Sequence, residues 1–137
     1  MEARLEGADL RGAQLNGAAL VRAHLEKADL QGAHLEQAWL AGAHLEEAKL
    51  NGAQLDKAIL VGAHLEGASL IGVQLEGADL RRAQLKGADL RRAQLKGAQS
   101  LTVEQLSLVK TMYQAQLDHS ILVQIQRLYP QLLGKPQ

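Results

Sequence analysis

The sequence predicts a β solenoid, a chain that winds in short coils around an axis filled by its own side chains. Three observations predict it. Leu occupies every fifth position from Leu5 to Leu95, nineteen times without a break. Ala stands two residues before each Leu from Ala3 to Ala93, with Val73 the single exception. Two residues after each Leu, twelve of the nineteen positions are Gly, from Gly7 to Gly97.

A period of five fits neither regular element. In a helix, five steps rotate each Leu by about 140°, so the leucines would scatter around the axis. In an unbroken strand, five steps put successive leucines on opposite faces. A short extended Ala-x-Leu piece, whose two apolar residues share one face, followed by a bend at x-Gly, turns every repeat back inward. Seven bends carry another residue in the Gly place: Arg22, Lys27, Gln37, Glu47, Lys57, Arg82 and Arg92. They lead us to expect corners of mixed type, many without positive φ. The core ladder on one face is Leu5, Leu25, Leu45, Leu65 and Leu85. With Leu and Ala filling the axis, no interior pocket is expected.

The repeat A-x-L-x-G, present as AHLEG and ADLRG, resembles the pentapeptide-repeat family over about 70% of the chain. The resemblance implies a right-handed four-sided β-helix with a quarter turn per pentapeptide and about five coils of twenty residues. At ~4.8 Å per coil the rod is roughly 24 Å tall.

We expect a repeat domain over residues 1–100 and a helical cap over 101–137. After Ala98 the pattern breaks, and Thr102 stands as an N-cap with Gln105 three residues on and Leu101 and Leu106 in staple positions. A helix from Val103 would carry Val103, Leu106, Val109, Met112 and Tyr113 on one face. Asp118 would cap a second helix through about Tyr129, with Ile121, Leu122, Ile125 and Leu128 inward and Pro130 as the stop. LTVEQL followed by LYPQLL also resembles C-terminal caps of the family. Both helices are expected to cover the open edge of the last coil. Met1 is in register with the repeats, so we expect either a truncated chain or a first coil whose edge pairs with another chain.

Residues twenty apart stack in this reading and define four outer faces. Around Leu25, the column His24, His44, His64 runs beside Glu6, Glu26, Glu46, Glu66. Imidazole and carboxylate are suitable ligands for Zn²⁺ or another divalent ion between coils. A solvated polar ladder is the alternative, because a closed metal site needs four converging ligands and a flat face spreads them apart. Around Leu40, Ala19, Trp39 and Ile59 stand beside Val21, Ala41 and Val61, followed by Asp79 and Arg81. This apolar face holds the sole Trp and is the expected contact for a protein partner or a second copy. The third face is an amide and acid ladder containing His34, and the fourth mixes Asp and Arg, for which we expect pairing between coils.

Fifteen basic and fifteen acidic residues cancel, so bulk charge draws the chain toward no polyanion, membrane or acidic substrate. Residues 1–80 hold twelve acids and six bases, whereas 81–100 hold six bases and one acid, Asp89. Arg81-Arg82 and Arg91-Arg92 fall on opposite faces, which makes a band and not a groove, so nucleic acid is not expected. The absence of Cys removes disulfides, thiol nucleophiles and Cys-ligated metals. The start MEARLEGADL is not a leader, and no run of about 18 apolar residues occurs, so we expect no membrane span and a soluble, cytoplasmic chain. Between residues 1 and 99 the one hydroxyl side chain is Ser69, and there is no Gly-rich phosphate loop. No enzymatic activity, cofactor or small-molecule substrate is expected.

The leading expectation is a rod-like structural or protein-interaction module that uses its apolar face, its N-terminal coil or its cap. Two alternatives stand beside it. One is divalent-metal binding on the His/Glu face. The other comes from the resemblance, since some family members inhibit DNA gyrase or topoisomerase by imitating the duplex in shape and negative charge. A neutral chain with a basic last coil departs from that pattern.

Overall fold

The computed structural model describes residues 2–137, so Met1, expected in register with the repeats, lies outside it. Parallel bridges join residues twenty apart in four columns, such as His24 to His44 to His64 and Ala19 to Trp39 to Ile59 to Asp79. A coil is therefore twenty residues with four sides, and five coils stack along the axis. Each side contributes one bridged residue before the corner arrives. That length is too short for a strand to form, although the pairing is that of a parallel sheet.

One pentapeptide shows how the backbone is satisfied. His44 N–H donates to the Ala23 carbonyl of the coil before (2.9 Å), while Leu45 and Glu47 N–H donate to the His64 and Glu66 carbonyls of the coil after (2.7 and 2.9 Å). Ala48 N–H closes the corner on the Leu45 carbonyl at 3.0 Å. Four of every five donors are thus used between or within coils. The amide just after each Leu points outward, and at Arg11, Gln31, Arg81 and Arg91 it donates to the Asp two residues earlier (3.1 to 3.3 Å).

The corners correct the expectation of mixed types. The residue two after each Leu has positive φ throughout, from 65 to 73° at the twelve glycines and from 56 to 60° at Arg22, Lys27, Gln37, Glu47, Lys57, Arg82 and Arg92. With the closing hydrogen bond, this is a type II turn at every corner. A different turn anywhere would break the twenty-residue register, so the ladder holds seven ordinary side chains in the left-handed region. Those side chains extend along the rod: a Cβ at Gly42 would lie 3.1 Å from Cγ of Arg22, and one at Gly77 would lie 3.3 Å from Cγ of Lys57.

Inside, every Leu from Leu20 to Leu95 is buried, and so is the Ala, or Val73, two residues before each of them from Ala23 onward, while Ala18 is half-buried. The core ladder behaves as expected at Leu25, Leu45, Leu65 and Leu85, whereas Leu5 at the open first coil is half-buried.

At the C-terminal end, α1 (Val103–Ser107) begins as expected with a capping box between Thr102 and Gln105, and Leu101 is half-buried beside buried Leu106. The helix does not continue to Tyr113. From Thr111 the ladder resumes, with Thr111 bridged to Asp89 and Gln116 to Gln94, and with Met112 and Leu117 buried in Leu positions. The spacing of Val109, Met112 and Tyr113 therefore reflects a sixth half-coil and not a helix face. The short α1 stands in for the other two sides of that coil. Gln105 makes the substitution possible: its Oε1 accepts from Thr102 N–H (2.9 Å), while its Nε2 donates to the Leu80 and Ala83 carbonyls (2.8 and 2.9 Å). The Ala83 carbonyl faces the end of the stack, where a regular next coil would bond it as Gln84 N–H bonds the Ala63 carbonyl, while the Leu80 carbonyl already accepts from Ala83 N–H at its corner (3.1 Å).

The second helix, α2 (His119–Leu128), stops one residue before Tyr129, and Pro130 opens a 3₁₀ turn through Leu133. Asp118 occupies the N-cap position without capping; its carboxylate accepts from Gly97 N–H instead (3.1 Å). Ile125 is fully buried and Ile121 and Leu122 are half-buried, but Leu128, expected inward, is exposed because the chain turns away at Tyr129. Met112 N–H donates to the Leu132 carbonyl (2.7 Å), so the 3₁₀ turn covers part of the half-coil.

Three outcomes test this architecture by denaturant unfolding. Leu45→Ala should cost about 3 kcal/mol and Leu5→Ala about 1 kcal/mol, because only the former leaves a closed cavity. Lys57→Gly should gain about 0.5 kcal/mol by relieving a left-handed residue, while Lys57→Val should lose more than about 1 kcal/mol. Gln105→Ala, which orphans the Ala83 carbonyl and leaves Leu80 only its corner bond, should cost about 1 to 2 kcal/mol.

Candidate functional site

Because residues i and i+2 around each Leu both face outward, each side of the rod presents two parallel columns of side chains. The functional question is what each pair of columns can do.

The apolar face stands where the sequence places it. Trp39 is bridged between Ala19 and Ile59, and Arg22 and Gly42 donate to the carbonyls of Ala41 and Val61, which keeps Val21, Ala41 and Val61 in the neighbouring column. Trp39 is 51% exposed and Val21 45%, whereas Ile59, Ala41 and Val61 are half-buried by their neighbours. The patch ends toward the C-terminus at Asp79 and Arg81, which form a bidentate pair (2.7 and 3.0 Å). That pair is a polar rim fixed in place, and it holds the Asp79 carboxyl below its ordinary range.

The His/Glu face is also as expected in its columns. The rings of His24, His44 and His64 stack with centroids 4.8 Å apart and planes within 5°. Each Nδ1 faces the Glu of its own coil at 3.4 Å (Glu26), 3.5 Å (Glu46) and 3.7 Å (Glu66). Burial alone would push the Glu26 carboxyl up; its own backbone N–H and the nearby His24 and His44 outweigh that and hold it down. Among the described residues, no three His, Asp or Glu side chains converge to hold a metal ion. The rings lie parallel with each Nδ1 turned to the Glu of its own coil, so their nitrogens point side by side and not at a common centre.

The third face places Glu36, Asp56 and Glu76 in one column. Burial, the neighbouring Glu76 and Glu36 push the Asp56 carboxyl up, and its Oδ1 is buried without a partner. On the fourth face the expected pairing between coils is corrected. Arg11 binds Asp9 and Arg91 binds Asp89 within the same pentapeptide (2.8 and 2.6 Å), and the approach of Arg11 to Asp29 of the next coil is longer, 3.9 Å. An Arg two residues after an Asp already lies beside it, while the next coil is a full rung away. Hydrogen bonds from the Arg11 side chain and backbone lower the Asp9 carboxyl to about 2.

Two features escaped the sequence reading. One is the Asp that caps the outward amide at Asp9, Asp29, Asp79 and Asp89, for which the A-D-L spelling was the available signal. The other is the half-coil of residues 110–117, whose MYQAQL keeps the five-residue spacing of Met112 and Leu117 with Ala115 between them. Among the described residues no helix is long and apolar enough to cross a membrane.

Comparison with known proteins agrees with this geometry. The chain has no match among curated proteins. Of solved structures, it is 36% identical over 86% of its length to HetL from Nostoc sp. PCC 7120, a pentapeptide repeat protein involved in heterocyst differentiation regulation, with a TM-score of 0.45. It is 34% identical over 74% of its length to Rfr23 from Cyanothece 51142, with a TM-score of 0.38. It spans 56% of the HetL chain and 61% of the Rfr23 chain. QnrB1, a plasmid-mediated fluoroquinolone resistance protein, shares the fold at 19% identity and a TM-score of 0.57, covering 92% of this chain and 66% of that one. The family model for pentapeptide repeats matches eight copies across residues 1–37, 28–67 and 68–99. This chain, with its twenty-residue coils and Leu-filled axis, belongs to the pentapeptide-repeat family.

Proposed function

We propose that the rod is a non-enzymatic docking module that engages a protein partner through the apolar face of Ala19, Val21, Trp39, Ala41, Ile59 and Val61. The carrying observation is Trp39, half-exposed in the middle of a rigid ladder and flanked by apolar residues on both adjoining rungs. A large, rigid, exposed aromatic at the centre of an apolar patch, with a polar rim at Asp79 and Arg81, is the pattern of an interface anchor. Six stacked residues make a patch of only a few hundred Å², less than the ~800 Å² per partner of a standard interface. The partner is therefore held weakly or also touches the neighbouring columns.

The tightly filled Leu and Ala core supports the non-enzymatic part of the reading, since it leaves no interior space in which to desolvate a reaction. Duplex mimicry draws no support from a net charge of zero, and the resemblance to QnrB1 at 19% identity speaks for the fold alone. The parallel histidine rings, whose nitrogens do not converge, lend the metal reading no support.

A photo-reactive residue at Val21 should yield a discrete cross-linked adduct in cells, and the same residue at Lys49, on the opposite side of the rod, should not. Trp39→Asp with Ile59→Asp should abolish the adduct while the far-ultraviolet dichroism stays unchanged. Adducts from both positions alike, or an adduct indifferent to the double substitution, would discard the reading. A solution mass above the monomer that falls on the same substitution would identify the partner as a second copy.

A further inference from the structure

Among the described residues, His24, His44 and His64 form the one stacked column of aromatic rings, and the docking reading makes no use of it. Imidazole changes charge between about pH 5 and 8. Three such groups held parallel at 4.8 Å do not change charge independently. A proton on one ring opposes a proton on the next. Even under full water screening, two unit charges at that spacing weaken each other's binding about four-fold.

The surrounding charges are ordered in the same way. His24 faces Glu26 on Nδ1 and Glu2 on Nε2 (3.4 and 3.6 Å), with Arg4 on the rung before; His44 faces Glu46, with imidazoles on both adjoining rungs; His64 faces Glu66, with Gln84 on the rung after. The next column reads Glu6, Glu26, Glu46, Glu66 and then Lys86. With neutral rings, the two columns hold four carboxylates against Arg4 and Lys86. With all three rings protonated, five cations face four carboxylates. Glu2, at the edge of the face, is offset by Arg22 (3.9 Å), so the sign of the face reverses.

We propose that this histidine stack is a graded pH sensor built into the rod: a coupled set of three imidazoles that takes up protons stepwise and reverses the charge of the border next to the apolar patch. The position of the border follows from chain order, since Trp39 and His44 lie on adjoining sides of one coil, separated by the Ala41-Gly42 corner. The sensor stands on ring geometry and holds whether or not the apolar face binds a partner.

The chain carries its own control. His34 faces Glu36 at 3.7 Å, as His64 faces Glu66, but its rung neighbours are Gln14 and Gln54. Proton NMR of the ring C–H signals between pH 4.5 and 9, at low ionic strength, reads the coupling directly. The stacked rings should titrate with Hill coefficients below 1, and His34 with a coefficient near 1. His44→Gln, a residue the column already accepts at Gln84, leaves His24 and His64 two rungs apart and should return both to single-site curves. Raising the salt should narrow the wild-type curves in the same direction. Single-site curves for all three rings in the wild type, or curves for His24 and His64 that His44→Gln does not change, would overturn the proposal.

Discussion

The structure depends on one constraint: backbone amides of each coil must meet the carbonyls of coils twenty residues away, on four sides at once. Per pentapeptide, three amides reach a neighbouring coil and one closes the corner, as at Leu45, Glu47, Ala48 and Lys49. Burial of Leu and Ala drives the winding, but it is non-directional. The ladder is what demands identical corners, and its strength shows where it holds Lys57 and Arg92 in a backbone region that such residues ordinarily avoid. The same demand explains the end of the rod. A coil edge without a successor exposes carbonyls that need donors, and at Ala83 a glutamine side chain supplies one.

The solenoid was legible because Leu at intervals of five has one economical solution, and the columns followed from counting by twenty. The corners were less so. Gly at twelve positions announced positive φ, but the other seven residues carried no local signal of it, since their conformation is imposed by hydrogen bonds to residues far away in sequence. The end of the rod failed for a related reason. Val109, Met112 and Tyr113 suit a helix face, while Met112, Ala115 and Leu117 suit the repeat, and only the bridges of Thr111 and Gln116 to coil five decide between them. For the ion pairs, the column count suggested partners a rung away. Side chains two residues apart on one side were closer, so Arg91 found Asp89 in its own pentapeptide.

For function, the consequence is that chemistry resides on the outside of a rigid rod whose columns can be treated one at a time. A rung of 4.8 Å sets what a column can do. Neighbouring imidazoles stack parallel on it and aim their nitrogens side by side instead of at one centre, and they are close enough for their charges to interact. The same rung presents Trp39 and Ile59 as adjoining steps of one apolar surface. The candidate site was readable as columns from the sequence; the exposure of Trp39 and the parallel stacking of the rings were not, because both depend on how side chains lie over their neighbours along the rod.

Amide hydrogen exchange resolved by residue tests the central constraint most directly. In the middle coils, protection should follow a five-residue period: slow at Leu45, Glu47, Ala48 and Lys49, fast at Glu46, then slow again at Leu50 and fast at Asn51. Continuous protection through Glu46 and Asn51, as in a helix, or an absence of protection at the leucine amides, would contradict it.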